Sequence, residues 1–323
     1  MDRRTFVHCL LGAGMLLRAM PAVAKDDYPD RTIRLVVPFA PGGGTDLVAR
    51  TLAAGLTQEL GRTVIVDNKP GAGTIIGSDV VAQAAPDGYT LLMATFAHAV
   101  NPSLQKKLPY DTEKAFAPIS LVGVSNNVLV VKDASPFRTV QDVIAAAKAN
   151  PRKLTYASQG IGTSAHLAGE LFDNLTGVQM KHVPYRGAGP ALTDVIGGQI
   201  DMMFATSAAA TALIESKRLR ALGTTASAGQ SQMAGIPAIA DTVPGYTVDS
   251  WYGLYAPANT PATIINRLNA ATNKVVQTEA FQKRVHEEGM RVSPGGPDAL
   301  EKLVTAEAMR WKKIVIENKI SLQ

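Results

Sequence analysis

Cysteine is all but missing. Cys9 is the single one among 323 residues, so no internal disulfide can form and no cysteine-based zinc or iron–sulfur centre can be built. Charged residues are few at 18% and aromatics at 6%, against a usual charged share of about 25%. With 46% hydrophobic residues, that composition excludes intrinsic disorder. Metal-type histidine spacing is absent: His98, His166, His182 and His286 form no H-x-x-x-H or H-E-x-x-H pattern, and no metal is expected. No phosphate loop of the G-x-x-x-x-G-K-[ST] type and no G-x-S-x-G nucleophile elbow occurs. A formal charge of +5 is too mild on this length to argue for nucleic acid, and none is expected as a partner.

What is present begins with an export signal. Arg3 and Arg4 precede an apolar run over 9–17, then Pro21 and Ala22-Val23-Ala24, an A-x-A cleavage pattern. Residues 1–24 therefore read as a cleaved signal peptide, of the general secretory type or, from Arg3-Arg4-Thr5-Phe6, the twin-arginine type. Phe6-Val7-His8 before Cys9 is no lipobox. Cleavage removes Arg3, Arg4, Arg18 and Asp2, so the charge falls from +5 to +3 and the only cysteine is lost. No later run reaches the roughly 18 apolar residues of a membrane span. A periplasmic location is expected.

The rest alternates strand, loop and helix. Apolar β-rich runs at 32–39, 63–66 and 90–95 read as strands. Between them, Val48, Leu52, Leu56 and Leu60 mark a helix closed by Gly61, and Thr74 reads as the cap of a helix to about residue 84. After about residue 125 the pattern restarts. Strands are expected at 128–131, 154–157, 180–183, 200–204 and 219–224, with helices at 140–149, 164–175, 188–196 and 208–216. An aromatic strand at 248–256 follows, then Thr260-Pro261 as a helix start and helices at 262–277, 279–288 and 297–318. The expected class is α/β: two lobes, with a mostly parallel sheet in each lobe and helices on both faces. The lobes are expected at 25–125 plus 249–323 and at 126–248.

Ligands in such sheets bind beyond the carboxyl ends of the strands, where helix amino termini point. Glycine-bearing loops at 42–44 and 160–162 would each expose backbone N–H groups there, which suits an anion between the lobes. Gly160-x-Gly162-x-x-Ala165 matches a dinucleotide fingerprint loosely, but the next strand ends in Pro184-Tyr185 with no acidic residue for a ribose. No cofactor is expected. His98 and His166 stand near the cleft; Asp46 reads either as a helix-end carboxylate or as a ligand contact.

The run Tyr28-Pro29 and 33–46 (IRLVVPFAPGGGTD) resembles the Bug family, the TctC-like substrate-binding proteins of tripartite tricarboxylate transporters. The likeness continues through 66–73 (VDNKPGAG), 86–92 (PDGYTLL), 156–167 (YASQGIGTSAHL), 183–187 (VPYRG) and 251–254 (WYGL). The resemblance implies a two-lobed periplasmic binding protein fold (type II, Venus flytrap) that closes over a small organic carboxylate, held by backbone groups and waters between lobes. It hands the ligand to the transporter's membrane subunits, acts as a monomer and does no chemistry. Carried onto this sequence, the site comprises Phe39, Ala40, Gly42, Gly43, Thr45 and Asp46 from the first loop, and Thr95, His98 and Asn101 from the second. The opposite lobe supplies Ser158, Gly160, Gly162, Thr163, Ser164 and His166, with Ala205, Thr206 and Ser207 closing the far side. Phe96 and Gln159 stand where the family often has a small residue. Two other readings remain at this stage. One is an exported hydrolase or lyase with Thr45, Ser158 or Ser164 as nucleophile and His98 or His166 as base. The other is a carboxylate sensor for a signalling partner.

Overall fold

The computed structural model describes residues 28–231, 233–287, 289–317 and 320; the signal-peptide reading of 1–24 lies outside them. The first apolar run forms β1 (Ile33–Val37), and Val48, Leu52, Leu56 and Leu60 form the buried stripe of α1 (Gly44–Leu60), which Gly61 ends in the left-handed conformation at φ 65°. There follow β2 (Val64–Asn68), α2 (Ile75–Ala82), β3 (Thr90–Thr95) and α3 (Phe96–Leu104). The long β4 (Phe116–Lys132) leads to α4 (Val140–Ala149), β5 (Thr155–Ser158), α5 (Ser164–Thr176) and β6 (Lys181–Pro184). Next come α6 (Ala188–Gly197), β7 (Met202–Thr206), α7 (Ser207–Glu215) and β8 (Leu219–Thr224). The chain finishes with β9 (Asp249–Pro257), α8 (Ala262–Val276), α9 (Glu279–Glu287), β10 (Met290–Gly295) and α10 (Pro297–Glu317).

Each lobe is built on a parallel run with helical crossovers: β2-β1-β3 in the first, β6-β5-β7 in the second. Antiparallel strands join the two runs. β9 inserts between β3 and β4, and β4 continues into the second sheet beside β7. Along β4, Phe116 to Asn126 pair with β9, while Asn127 to Val131 pair with β7. β10 and β8 flank the same strand, one in each sheet.

The expected elements recur with bounds within two residues, with instructive exceptions. No break occurs near residue 125, because β4 runs through it. The polar triplet Ser125-Asn126-Asn127 interrupts the apolar pattern, yet its groups are satisfied internally: Asn126 Nδ2 donates to Asp249 Oδ1 (2.8 Å) and Asn127 Nδ2 to the Phe204 carbonyl (2.7 Å). The Asn127 N–H donates to Thr225 Oγ1 at 2.8 Å, and the Thr225 hydroxyl donates in turn to the Val248 carbonyl. Helix α3 and strand β10 have no counterpart in the sequence reading. The former lacks a polar stripe, with six consecutive residues Phe96 to Asn101 buried; the latter is short, half-exposed and contains Pro294.

Thr74 precedes α2 at φ 82° but makes no side-chain cap. Its hydroxyl instead accepts from Asn101 Nδ2. The Thr260 hydroxyl donates to the Pro257 carbonyl (2.7 Å), so the N-cap is Pro261 and not Thr260, while α8 starts at Ala262 as read. The ends expected at 288 and 318 lie outside the described residues.

Candidate functional site

Four strands, β1, β3, β5 and β7, each deliver their carboxyl end to a helix start. β3 enters α3 and β7 enters α7 with no residue between; short glycine loops join β1 to α1 and β5 to α5. The residues at the N-cap positions are Gly43, Thr95, Thr163 and Thr206, and none of them caps its helix with a side chain. α6 likewise starts uncapped at Gly187. By contrast α4 carries a full capping box from Thr139 and Asp142. An uncapped first turn leaves backbone N–H donors without intrahelical partners, at the positive end of the helix dipole.

The helix starts meet across a seam between the lobes. A β-carbon on Gly44 would stand 2.8 Å from Thr206 Oγ1 and 3.1 Å from the Ala209 nitrogen; one on Gly43 would stand 3.6 Å from the Ala188 nitrogen. The Ala40 N–H donates to the Arg186 carbonyl across the seam at 2.9 Å. Lower down, a β-carbon on Gly162 would stand 2.6 Å from Asn101 Oδ1. Three buried polar atoms in this region have no hydrogen-bond partner: Asn101 Oδ1, Gln159 Oε1 and Tyr252 Oη. Such atoms are rare in folded proteins, and each asks for a donor or acceptor from elsewhere.

The first loop is braced from within its own lobe. Asp46 Oδ2 accepts from the Gly42 N–H (3.0 Å) and Arg50 Nε (2.9 Å), and Oδ1 accepts from Asn68 Nδ2 (2.9 Å). Burial alone would raise its pKa, but Arg50, the Gly42 amide and Asn68 together hold it below the usual range. Of the two readings of Asp46, the geometry is that of the helix-end carboxylate. Asn68 Nδ2 also donates to the Phe39 carbonyl at 3.0 Å, while the Phe39 ring packs into the first-lobe core.

The opposing loop is braced from behind. Thr163 Oγ1 donates to the Gly160 carbonyl (2.6 Å), the Gly160 N–H donates to Ser158 Oγ (3.1 Å), and the Gly162 N–H donates to His166 Nδ1 (3.2 Å). His166 stacks on His182 at 4.3 Å, and His182 Nε2 lies 2.7 Å from Ser158 Oγ. Burial, joined by the nearby His182, pushes His166 down to about 3; burial pushes His182 down to about 4. Both rings are neutral at pH 7, as an acceptor to an amide requires.

The seam thus brings together Ala40, Gly42, Gly43, Asn101, Gly160, Gly162 and Thr206, with Thr95 paired to Tyr252 at the end of β3, while Thr45 is buried in the first turn of α1. It does not bring His98 there. That ring lies between Phe116 (4.9 Å) and Tyr255 (4.8 Å), and burial lowers it to about 4. Phe96 also turns away, edge-on to Trp311 of α10 at 5.0 Å. Ala205 is buried within β7 beside Val128. Ser207 Oγ donates to the Asn126 carbonyl (2.8 Å) and Ser164 Oγ to Asn127 Oδ1 (3.2 Å), both on the β4 side. No hydroxyl of Thr45, Ser158 or Ser164 bonds to His98 or His166, so the nucleophile–base pairs of the hydrolase reading are not formed. Ser158 Oγ has His182 instead, but Ser158 is fully buried and bonded within its own loop. Among the described residues no group of three or more His, Cys, Asp or Glu is arranged to hold a metal.

Sequence reasoning did not place Tyr252 or 186–189 at the site, although the glycines and prolines of 70–73 do read as a loop where backbone approaches a ligand. The glycines in 70–73 and 187–189 were the available signal, since both loops carry the small residues that close backbone approach needs.

Three comparisons bear on this geometry. Residues 48–320 match the family model described as the tripartite tricarboxylate transporter family receptor. A curated relative, the UPF0065 protein in the tcbD-tcbE intergenic region of Pseudomonas sp. (strain P51), is 38% identical over 96% of this chain and 93% of its own. Among solved structures, the periplasmic binding protein BugD superposes with a TM-score of 0.88 at 32% identity, covering 92% of this chain and all of that one. R. palustris Rpa4515, solved with adipate, gives a TM-score of 0.88 at 33% identity over 91% of this chain and 99% of that one.

Proposed function

This chain is a solute-binding protein belonging to the tripartite tricarboxylate transporter receptor family, whose members are periplasmic, and on that premise we propose that it captures a small organic carboxylate at the seam between its lobes. The convergence of uncapped helix starts at Gly43, Thr95, Thr163 and Thr206 carries the reading. Their free N–H groups and dipoles favour a carboxylate, and the glycines let it approach backbone closely. The adipate found with Rpa4515 is a ligand of that chemical class.

The lobes, at 25–125 plus 249–323 and at 126–248, turn about Asn126-Asn127, Thr225 and Val248. Closure converts ligand contacts into one shape that membrane subunits read. The protein works as a monomer, exported behind the cleaved signal at 1–24, and releases its ligand unchanged. A few charge-assisted hydrogen bonds of roughly 1.5–3 kcal/mol each, less the cost of association, are enough for micromolar affinity, about 8 kcal/mol.

The test is a thermal-shift panel of mono-, di- and tricarboxylates and acidic amino acids on the ligand-stripped mature protein. A carboxylate at 100 times its Kd stabilises the fold by about 2.7 kcal/mol. Gly43→Val, which sends a branched side chain toward the Ala188 and Gly189 amides, is expected to abolish that shift with little change in the ligand-free Tm. Unchanged affinity in that variant, or conversion of the bound acid to a product, counts against the proposal.

A further inference from the structure

The loop between β5 and α5 borders the seam, yet two of its amides are tied behind it. The Gly160 N–H donates to Ser158 Oγ at 3.1 Å and the Gly162 N–H to His166 Nδ1 at 3.2 Å. The amides left for an incoming carboxylate are those of Ser164, Ala165 and His166 in the first turn of α5, which have no intrahelical acceptor. The Leu167 N–H is the first that has one, the Thr163 carbonyl at 3.1 Å.

Both ties lead to one pair of stacked imidazoles. His182, from β6, lies with its Nε2 2.7 Å from Ser158 Oγ, and its ring stacks on that of His166 at 4.3 Å. Ser158 has one hydroxyl proton and two acceptors in reach, the Gly160 carbonyl at 3.1 Å and His182 Nε2 at 2.7 Å. The carbonyl already accepts the Thr163 hydroxyl at 2.6 Å, so the Ser158 proton goes to the ring. The two rings are then opposite tautomers. His166 carries its proton on Nε2 and offers Nδ1 to Gly162; His182 carries its proton on Nδ1 and offers Nε2 to Ser158. Glu170 of α5 supports the first assignment, since its Oε1 faces His166 Nε2 at 3.7 Å and favours an N–H there over a lone pair. Tyr156 of β5 donates to that same oxygen at 2.6 Å, and its ring stacks on His182 at 5.0 Å. Asp173, further along α5, faces Glu170. Burial disfavours a second proton on either ring.

We infer that His166 and His182 are positioning residues for carboxylate capture: as a neutral pair of opposite tautomers they hold the Gly160 and Gly162 amides behind the loop and so aim the start of α5 at the ligand. This rests on the reading that the helix starts hold the carboxylate. Neither ring touches the ligand; each acts through the loop. A proton on His166 Nδ1 or on His182 Nε2 turns an acceptor into a donor, and the Gly162 amide or the Ser158 hydroxyl loses its partner. Capture of the ligand and protonation of the pair therefore oppose one another.

The experiment uses the ligand-stripped mature protein. Labelled with 15N-histidine and read by NMR, with His98, His166, His182 and His286 told apart by single substitutions, it should show the His166 proton on Nε2 and the His182 proton on Nδ1. Isothermal titration with succinate, adipate and citrate then compares wild type with His166→Leu and His182→Leu, and with His166→Asn and His182→Gln, which keep an acceptor where Nδ1 and Nε2 stood. Each Leu variant should lose affinity by about tenfold or more, and its Asn or Gln counterpart should recover most of it. From about pH 7 to 4, wild-type affinity should fall by up to about tenfold per unit for each proton that the ligand-free pair takes up. The Asn/Gln double variant should keep only the dependence that comes from the acid's own protonation. A proton found on His166 Nδ1 or His182 Nε2, Leu variants that lose Tm but bind within about twofold of wild type, or a double variant with the wild-type pH profile each overturns the positioning role and leaves carboxylate binding standing. Failure of all three acids to bind wild type overturns the underlying reading and the positioning role with it.

Discussion

Gly73 of the first lobe and Ile161 of the second meet backbone to backbone: a β-carbon on Gly73 would stand 2.0 Å from the Ile161 carbonyl oxygen. Gly73 also has φ 59°. The closed arrangement therefore needs glycine here twice over, for the local turn and for the contact across the seam.

Gly73→Ala is expected to hold the lobes apart. The left-handed residue itself costs the ligand-free protein about 1 kcal/mol, a small fall in Tm. Closure bears the larger effect, so carboxylate affinity should drop more than tenfold by titration. Equal losses in both would mean that the contact matters for folding alone.

Asp46→Ala tests the brace of the first loop. It removes the acceptor of the Gly42 N–H, Arg50 and Asn68. Charge-assisted bonds of this kind contribute roughly 1.5–3 kcal/mol. Ligand affinity should fall by about tenfold, and Asp46→Asn, which keeps an acceptor, should recover part of it.

Stability should decline toward acid pH. Burial lowers His98 and His182 to about 4, and burial together with His182 lowers His166 to about 3, each from 6.5. Between those values the unfolded chain binds more protons than the folded one. The histidine contribution is thus complete above pH 6.5 and lost as pH falls toward 4, by about 1.4 kcal/mol per pH unit for each ring. Buried Asp173, raised to about 7, and Glu170, also raised by burial, act the other way: their contribution is present at low pH and lost as pH rises. The net slope between pH 6 and 5 should be roughly 1.5–3 kcal/mol per unit, read from urea midpoints. His98→Leu should flatten it by about one ring's share, and an unchanged slope would show that His98 protonates freely in the fold.

Gly169→Ala probes the core under α5, where a β-carbon would stand 2.2 Å from the Tyr156 ring. Overpacking of this sort costs about 1–3 kcal/mol. Tyr156 also donates to Glu170 Oε1 at 2.6 Å, so the loss should fall at the upper end, measured by denaturant unfolding.

Thr225→Val probes the proposed turning point between lobes. It leaves the buried Asn127 N–H and the Val248 carbonyl each short of a partner, at about 1–3 kcal/mol per unsatisfied group. The expected loss appears in the Tm of ligand-free and ligand-bound protein alike.

Periodicity made most of the architecture legible. The stripe of Val48, Leu52, Leu56 and Leu60 with Gly61 after it reads directly as a helix, and it is one. Elements went unread where polarity and packing part company. Ser125-Asn126-Asn127 looks like a break because its hydrogen-bond partners at Asp249, Phe204 and Thr225 are remote in sequence. At the candidate site, glycine loops located the seam, because conformational freedom is a property of the residue itself. Where side chains point depends on helix register. His98 and Asn101 lie three apart on α3, yet one faces Phe116 and Tyr255 while the other faces Gly73 and Gly162.

The placement of β9 also governs the order in which the chain can be assembled. It sits between β3 and β4, although about 120 residues separate it from the former's neighbour in sequence along β4. All strands of the second parallel run lie within one continuous stretch and need only β4 from outside it. The first sheet, by contrast, stays open in its middle until residue 257 has been supplied, and its helix α3 stays uncovered until α10 arrives. A chain emerging amino terminus first therefore keeps that lobe unfinished until nearly its whole length is available.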